Sequence, residues 1–329
     1  MTVLVTGASG FVGRAVWLRL NGMSGVTAVG SVRRAGMFAE PSAPLVTVGA
    51  LSAQTDWSAA LAGVHVVVHT AARVHVMQEA ATDPLEEFRR VNVQGTLNLA
   101  RQAAAAGVKR FVFISSVKVN GESTPLGQPF TADDAPAPLD AYGVSKMEAE
   151  QGLHEIASQT GMEVVIIRPP LVYGPGVKAN FAALIRAVQR GWPLPLGAVR
   201  NQRSLVALSN LVDFIVTCIT HPQAANQTFL VSDGHDLSTT ELVRGMAQAA
   251  GVPARLLPVS VWALQAGATL LGKGDAVQRL CGNLQVDISK ARQLLGWVPP
   301  ISVDEGLLRA VEGHGLPRRC APRNDDLTK

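Results

Sequence analysis

Cysteine is scarce in this chain, acidic and basic residues nearly cancel, and no apolar run is long. The 29 Lys and Arg set against 25 Asp and Glu leave a formal charge of +4 on 329 residues. So small an excess argues against strong nucleic-acid binding unless the charge is clustered. Cys218, Cys281 and Cys320 are odd in number and far apart. That pattern suits neither a disulfide framework nor a zinc site, so no metal is expected, and a reducing cytoplasm is the expected location. The longest uncharged apolar run, Val259 to Gly272, has 14 residues. A bilayer span needs about 18, so no membrane insertion is expected. A strand pattern from Thr2 leaves no room for a signal peptide. With 47% apolar and 16% charged residues, the chain can build a large core.

The first half alternates short β-branched runs with helical patterns. Strands are expected at Thr2–Thr6, Val26–Val32, Val64–His69, Arg110–Ser115 and Glu163–Arg168, and helices at Phe11–Leu20, Glu86–Ala106 and Ala141–Thr160. The apolar runs are nearly continuous, as in a parallel sheet covered on both faces. The expected fold class is α/β, a Rossmann-type doubly wound parallel sheet with a smaller, mostly helical C-terminal substrate domain. Residues 1–168 and about 205–232 would form the dinucleotide-binding domain, and about 169–204 and 233–316 the substrate domain. Residues 317–329 read as a polar tail. Further helices are expected at Phe181–Arg190, Thr239–Ala250, Val261–Leu271 and Ser289–Leu295, with Trp192, Trp262 and Trp297 in the small domain's core.

Ligands of such sheets bind beyond the carboxyl ends of the strands. Straight after the first strand stand Gly7, Ser9, Gly10, Phe11, Val12 and Gly13. Glycines at this spacing permit a tight turn, close approach of backbone to a pyrophosphate, and close helix–strand packing. After the second strand, where an acid would bind the ribose of NAD, the run is Gly30-Ser31-Val32-Arg33-Arg34. Arg33 and Arg34 can pair with a 2′-phosphate, so NADP is expected in preference to NAD. A solvated strand end is the alternative.

The chain has only two tyrosines, and one of them, Tyr142, precedes Lys146 by four residues on a helix pattern. Positions i and i+4 share a face. A neighbouring ammonium and an oxidised nicotinamide would both favour the phenolate, so Tyr142 could exchange a proton with a carbinol. Ser115 and Ser116 close the preceding strand, where a hydroxyl could bond the same oxygen.

At these residues the chain resembles the extended short-chain dehydrogenases/reductases, in the NAD-dependent epimerase/dehydratase group that acts on nucleotide sugars. The resemblance runs through residues 6–13, His69-Thr70-Ala71-Ala72, Val91-Asn92-Val93-Gln94-Gly95-Thr96, Ser115-Ser116, Tyr142 to Lys146 and Arg168-Pro169-Pro170-Leu171-Val172-Tyr173-Gly174-Pro175. It also takes in the closing run from Gln285 to Trp297. It implies catalytic Ser116, Tyr142 and Lys146. It implies cofactor contacts from Thr70, Ala71, Ala72, Asn92, Ser115, Tyr142, Lys146, Pro169 and Val172. Ala50 and Leu51 stand where the family often has Asp-Leu near the adenine. The diphosphate of a UDP-sugar would be held by Asn180 and Arg203, with Arg279 a further candidate. Substrate would also touch Ser116, Tyr142, Val117 and Lys118. Leu171 replaces the usual asparagine of its motif.

Family dehydratases carry Asp-Glu where this chain has Val117 and Lys118, so a 4,6-dehydratase is not expected. The main expectation is reduction of a UDP-4-keto-6-deoxy-hexosamine for surface polysaccharide, as in similar bacterial reductases. The alternative is a UDP-sugar 4-epimerase with tightly held NAD. A reductase of a non-sugar ketone and a non-catalytic dinucleotide sensor rank below both. Related enzymes dimerise through helices at 86–106 and 141–160, so a homodimer is possible. His69 and His75 are expected to be packed rather than catalytic.

Overall fold

Among the described residues seven short strands pair side by side, every pairing parallel. They are β1 (Thr2–Thr6), β2 (Thr27–Val32), β3 (Leu45–Thr47), β4 (Val66–His69), β5 (Arg110–Ile114), β6 (Glu163–Arg168) and, after two others, β9 (Thr228–Leu230). Their order is β3-β2-β1-β4-β5-β6-β9, so the strand order reverses beside β1. The remaining pair, β7 (Leu171–Tyr173) and β8 (Leu205–Ala207), forms a separate two-stranded sheet. This is a computed structural model describing residues 1–34, 36, 44–74, 83–270 and 274–314. His75 and the tail at 317–329 lie outside the described residues.

The helices are α1 (Phe11–Asn21), α2 (Ser58–Leu61), α3 (Pro84–Phe88), α4 (Thr96–Ala105), α5 (Ala141–Thr160), α6 (Ala179–Gln189) and α7 (Leu208–Thr220). After them come α8 (Thr239–Ala249), α9 (Val261–Leu270), α10 (Gly274–Cys281), α11 (Ser289–Leu295) and α12 (Val303–Glu312).

Alternate residues of the central strands β1, β4, β5 and β6 enter opposite cores. Val3, Val5, Val68, Val112 and Ile167 pack with α1 and α7. Leu4, Val67, Phe111, Phe113 and Ile166 pack with α4 and α5. Because both faces are covered, the strands carry continuous apolar runs rather than alternating ones. Each such side chain contributes roughly 1.5–3 kcal/mol on burial. A third core joins α6, α8 and α12 around Tyr173, Ile185, Met246 and Leu307.

Three expectations need correction. The single helix expected at Glu86–Ala106 is α3, a π-helical stretch at Arg89–Gly95, and α4. Ala291 and Leu295 of α11 and Trp297 pack into the core beneath the large sheet, with Trp297 edge-on to Phe214 at 4.7 Å. Trp192 and Trp262 are not core residues, being 55% and 73% exposed.

Candidate active site

The carboxyl ends of β1, β4 and β5 meet at one edge of the sheet, and the motif residues collect there. Gly7 adopts φ +69°, a backbone that L side chains rarely tolerate. A Cβ on Gly7 would lie 2.9 Å from the Ala71 amide, and one on Gly13 only 2.2 Å from the Gly7 carbonyl oxygen. The turn therefore needs both glycines, one for the loop after β4 and one for α1. Gly10 caps α1, and its amide donates to Gly7 O at 2.7 Å. The first-turn amides of a helix have no partner within it, and this first turn has no acid. With Ser9, Phe11 and Val12 half-buried around them, these groups fit a pyrophosphate.

The loop after β4 is tied down by hydrogen bonds. Thr70 Oγ1 donates to Thr6 O at 2.6 Å, and the Ala71 amide meets Thr6 Oγ1 at 3.3 Å; Ala72 follows, half-buried. Asn92 sits in the π-helical stretch. It accepts from the Arg73 amide at 2.8 Å and donates to Arg73 O and Ser145 Oγ, both at 3.0 Å. One side chain thus fixes the loop against α5. His69 is fully buried between Thr6 Oγ1 at 2.7 Å and Thr96 Oγ1 at 2.9 Å. Burial, with Lys146 nearby, lowers its pKa to about 3. It is a neutral, packed histidine.

Ser116 opens a single 3-10 turn, Val117–Val119, and its Oγ accepts from the Lys118 amide at 3.2 Å. This turn abuts α5, because a Cβ on Gly143 would lie 2.8 Å from Lys118 O. Asp140 caps α5 by accepting from the Gly143 amide at 2.7 Å. Tyr142 follows in the first turn, with Phe88 edge-on at 5.9 Å. One turn on, Lys146 is buried; its Nζ donates to Ile114 O at 2.8 Å and lies 5.9 Å from the Tyr142 ring centre. So β5 and α5 bring Ser116, Tyr142 and Lys146 to one place.

The electrostatics differ from the sequence expectation. Burial, reinforced by Asp140, raises the Tyr142 phenol above its ordinary value rather than lowering it. Burial also lowers Lys146 to about 7, against an opposing pull from Glu150. The ammonium alone does not acidify the phenol, and further positive charge must come from what binds beside it.

Ser115 Oγ donates to Glu150 Oε1 at 2.5 Å, so its hydroxyl points into the protein. Glu150 also receives Arg168 Nη2 at 2.6 Å and Nε at 3.0 Å, and Arg168 Nη1 reaches Asn120 Oδ1 at 3.0 Å. This buried cluster lies beside Ser116 and Lys146 and was not foreseen. Its signal was available, since Glu150 stands four residues beyond Lys146. Pro169 O accepts from the Val117 amide at 3.0 Å. Val172 is half-buried on β7, and Leu171 is exposed.

The other candidates are spread around this edge. Val117 is buried, while Lys118 is paired with Asp140 and with Glu122. Arg33 and Arg34 are exposed beyond β2, with Ser31 buried inside it. Leu51 packs against Gly95, and exposed Ala50 accepts from Thr55 Oγ1 at 2.7 Å. Asn180 is exposed in the first turn of α6. Arg203 Nη1 donates to Gly282 O at 3.0 Å, just past the end of α10, whose last turn carries Arg279. The Arg203 side chain is thereby tied to the backbone three residues beyond Arg279.

The model of the NAD dependent epimerase/dehydratase family matches residues 3–232. The chain belongs to that family. It is an enzyme of the short-chain dehydrogenase/reductase type with the expected Rossmann-type sheet. A UDP-glucose 4-epimerase of Vibrio cholerae is 51% identical over 312 residues, 94% of each chain. A UDP-glucuronic acid 4-epimerase of Bacillus cereus, solved with NAD, has the same fold, with a TM-score of 0.77 and 22% identity over 95% of this chain and 98% of that one. MoeE5, solved with UDP-glucose and NAD, matches with a TM-score of 0.75 and 26% identity over the same shares of the two chains. Among the described residues no helix is long and apolar enough to cross a membrane.

Proposed function

We propose that this family member is a UDP-sugar 4-epimerase using NAD. This is the alternative reading of the sequence rather than its main one. The placement of Tyr142 and Lys146 at the end of β5 supports the chemistry, and the 51% identical 4-epimerase supports the outcome. When bound, NAD supplies a hydride acceptor that later returns the hydride. Tyr142 Oη takes the proton from the C4 hydroxyl as the C4–H bond gives up its hydride, leaving a ketone at C4. Tyr142 gives the proton back when hydride returns to the opposite face. Ser116 Oγ bonds the same oxygen, and Lys146 favours the phenolate. Arg203, Arg279 and Asn180 hold the diphosphate. Val117 is aliphatic and Lys118 is a base, and the nearby Asp140 and Glu122 are both engaged with Lys118, so the Asp-Glu pair that family dehydratases use for elimination has no counterpart at these positions.

Purified enzyme given UDP-glucose or UDP-N-acetylglucosamine, with no added cofactor, should yield a mixture of C4 epimers by NMR. No epimer from either sugar, with NADPH consumed by a 4-keto sugar instead, would overturn this reading.

Reduction of a UDP-4-keto-6-deoxy-hexosamine with NADPH is the second reading. The exposed Arg33 and Arg34, with Ser31 where an acid would serve NAD, favour it. On that reading Arg33→Ala raises KM for NADPH about tenfold and leaves NADH nearly unchanged. An equal effect on both removes the argument for NADP. A cytoplasmic homodimer pairing through α4 and α5 belongs to either reading, and light scattering tests it.

A further inference from the structure

The uncharged run from Val259 to Gly272 is not used by any of this chemistry. A run of that length belongs to a buried core helix or to an interfacial segment. Its described part touches the third core along one side only, through Val261 and Leu264, which are half-buried. Among the described side chains of α9 only Ala268 is buried, while Trp262 is 73% exposed and Ala266 and Gly267 are exposed with it. Leu257, five residues before Trp262, is 49% exposed. Trp192, 55% exposed, is joined to the same rim through backbone: Leu194 N donates to Arg255 O at 2.9 Å, and Leu257 N donates to Leu194 O at 2.8 Å.

Two arginines stand at this rim. Arg190 lies 5.5 Å from the Trp192 ring centre, and a Cβ on Gly191 would lie 3.8 Å from Arg255 Nε. Among the described residues neither arginine enters an ion pair. Residues 169–212 and 242–270 contain no Asp or Glu, yet carry five and two Lys or Arg. With +4 overall, these segments hold +7 and the rest of the chain −3.

We propose that Trp192, Leu257 and Trp262, flanked by Arg190 and Arg255, seat this enzyme peripherally on an anionic phospholipid bilayer. Tryptophan favours the boundary between headgroups and acyl chains, and arginines beside it meet lipid phosphates. A second copy of the chain is a poor occupant. Two-fold pairing through this rim would bring like charges together. The proposal goes beyond the C4 chemistry and does not rest on it.

The molecule carries its own reporter. Trp17, Trp57 and Trp297 are buried, so Trp192 and Trp262 are the tryptophans that meet solvent. The full chain should co-sediment with phosphatidylglycerol-containing vesicles, its tryptophan emission shifting to the blue, and bind pure phosphatidylcholine at least tenfold more weakly. Raised salt should weaken binding. Arg190→Gln with Arg255→Gln should lower partitioning about fivefold for each arginine. Trp192→Ala with Trp262→Ala should abolish both signals with an unchanged circular dichroism melt. Equal binding to both vesicle types, or variants that sediment like wild type, would overturn the proposal. So would vesicle-independent self-association that the tryptophan variants lose.

Discussion

Tyr142→Phe lowers kcat by about a thousandfold, the usual scale for removing a positioned general acid–base group. The ring stays, so its contact with Phe88 and the fold of α5 stay too. Dinucleotide affinity, measured by fluorescence titration, should change less than threefold. A kcat within tenfold of wild type would remove Tyr142 from the chemistry. The companion variant, Lys146→Met, separates two roles of the lysine. Its folded-state value is about 7 against an ordinary 10.5, because burial opposes the charge. Between those values the unfolded chain binds more protons than the folded one, so stability rises with pH across that window. Lys146→Met should flatten that rise in thermal melts. It should also remove the loss of dinucleotide affinity expected as the wild-type ammonium titrates above about pH 7. A melt profile with the same slope in both proteins would refute the assignment.

Much of the site was legible because it rests on local rules. Gly7, Gly10 and Gly13 carry their message in spacing together with their place between a strand and a helix, and the structure adds the contacts that enforce it. Tyr142 and Lys146 needed only the helical period. Long-range placement was harder to read. The helix at Leu208–Thr220 was missed because LSNLVDFIVTCIT is apolar and β-branched on most sides, as suits a helix buried against the sheet. The π-helical turn at Arg89–Gly95 has no sequence signature, yet it carries Asn92. Trp192 and Trp262 were placed inside because large aromatics usually are, and only the tertiary structure puts them outside. The pull on Tyr142 was misjudged for a related reason. Spacing reveals the cation but not the burial that outweighs it.

That burial gives the second large effect. Arg168 and Glu150 are paired with both side chains almost inaccessible, at 6% and 5% exposure. Removing one partner leaves a buried charge unbalanced, which costs about 3–5 kcal/mol. Arg168→Ala should therefore lower Tm by on the order of 10 °C. It strips Glu150 of its bidentate partner and Asn120 Oδ1 of its donor, leaving Ser115 Oγ as the carboxylate's remaining bond in this cluster. Replacing both charges, as Glu150→Met with Arg168→Met, should recover most of the loss, because a packed apolar pair removes the desolvation cost together with the attraction. The comparison separates ion pairing from simple volume. If Arg168→Ala melted within 2 °C of wild type, or if the double variant were no more stable than the single one, the pair would not be what holds β6 to α5 beside Tyr142 and Lys146. Recovery of Tm without recovery of kcat would give the pair a second duty. The β5 end that Ser115 anchors to Glu150 also carries Ile114 O, the acceptor of Lys146 Nζ, and Ser116. An apolar replacement can fill the space, but it offers the Ser115 hydroxyl no acceptor to hold that strand end in register with Tyr142.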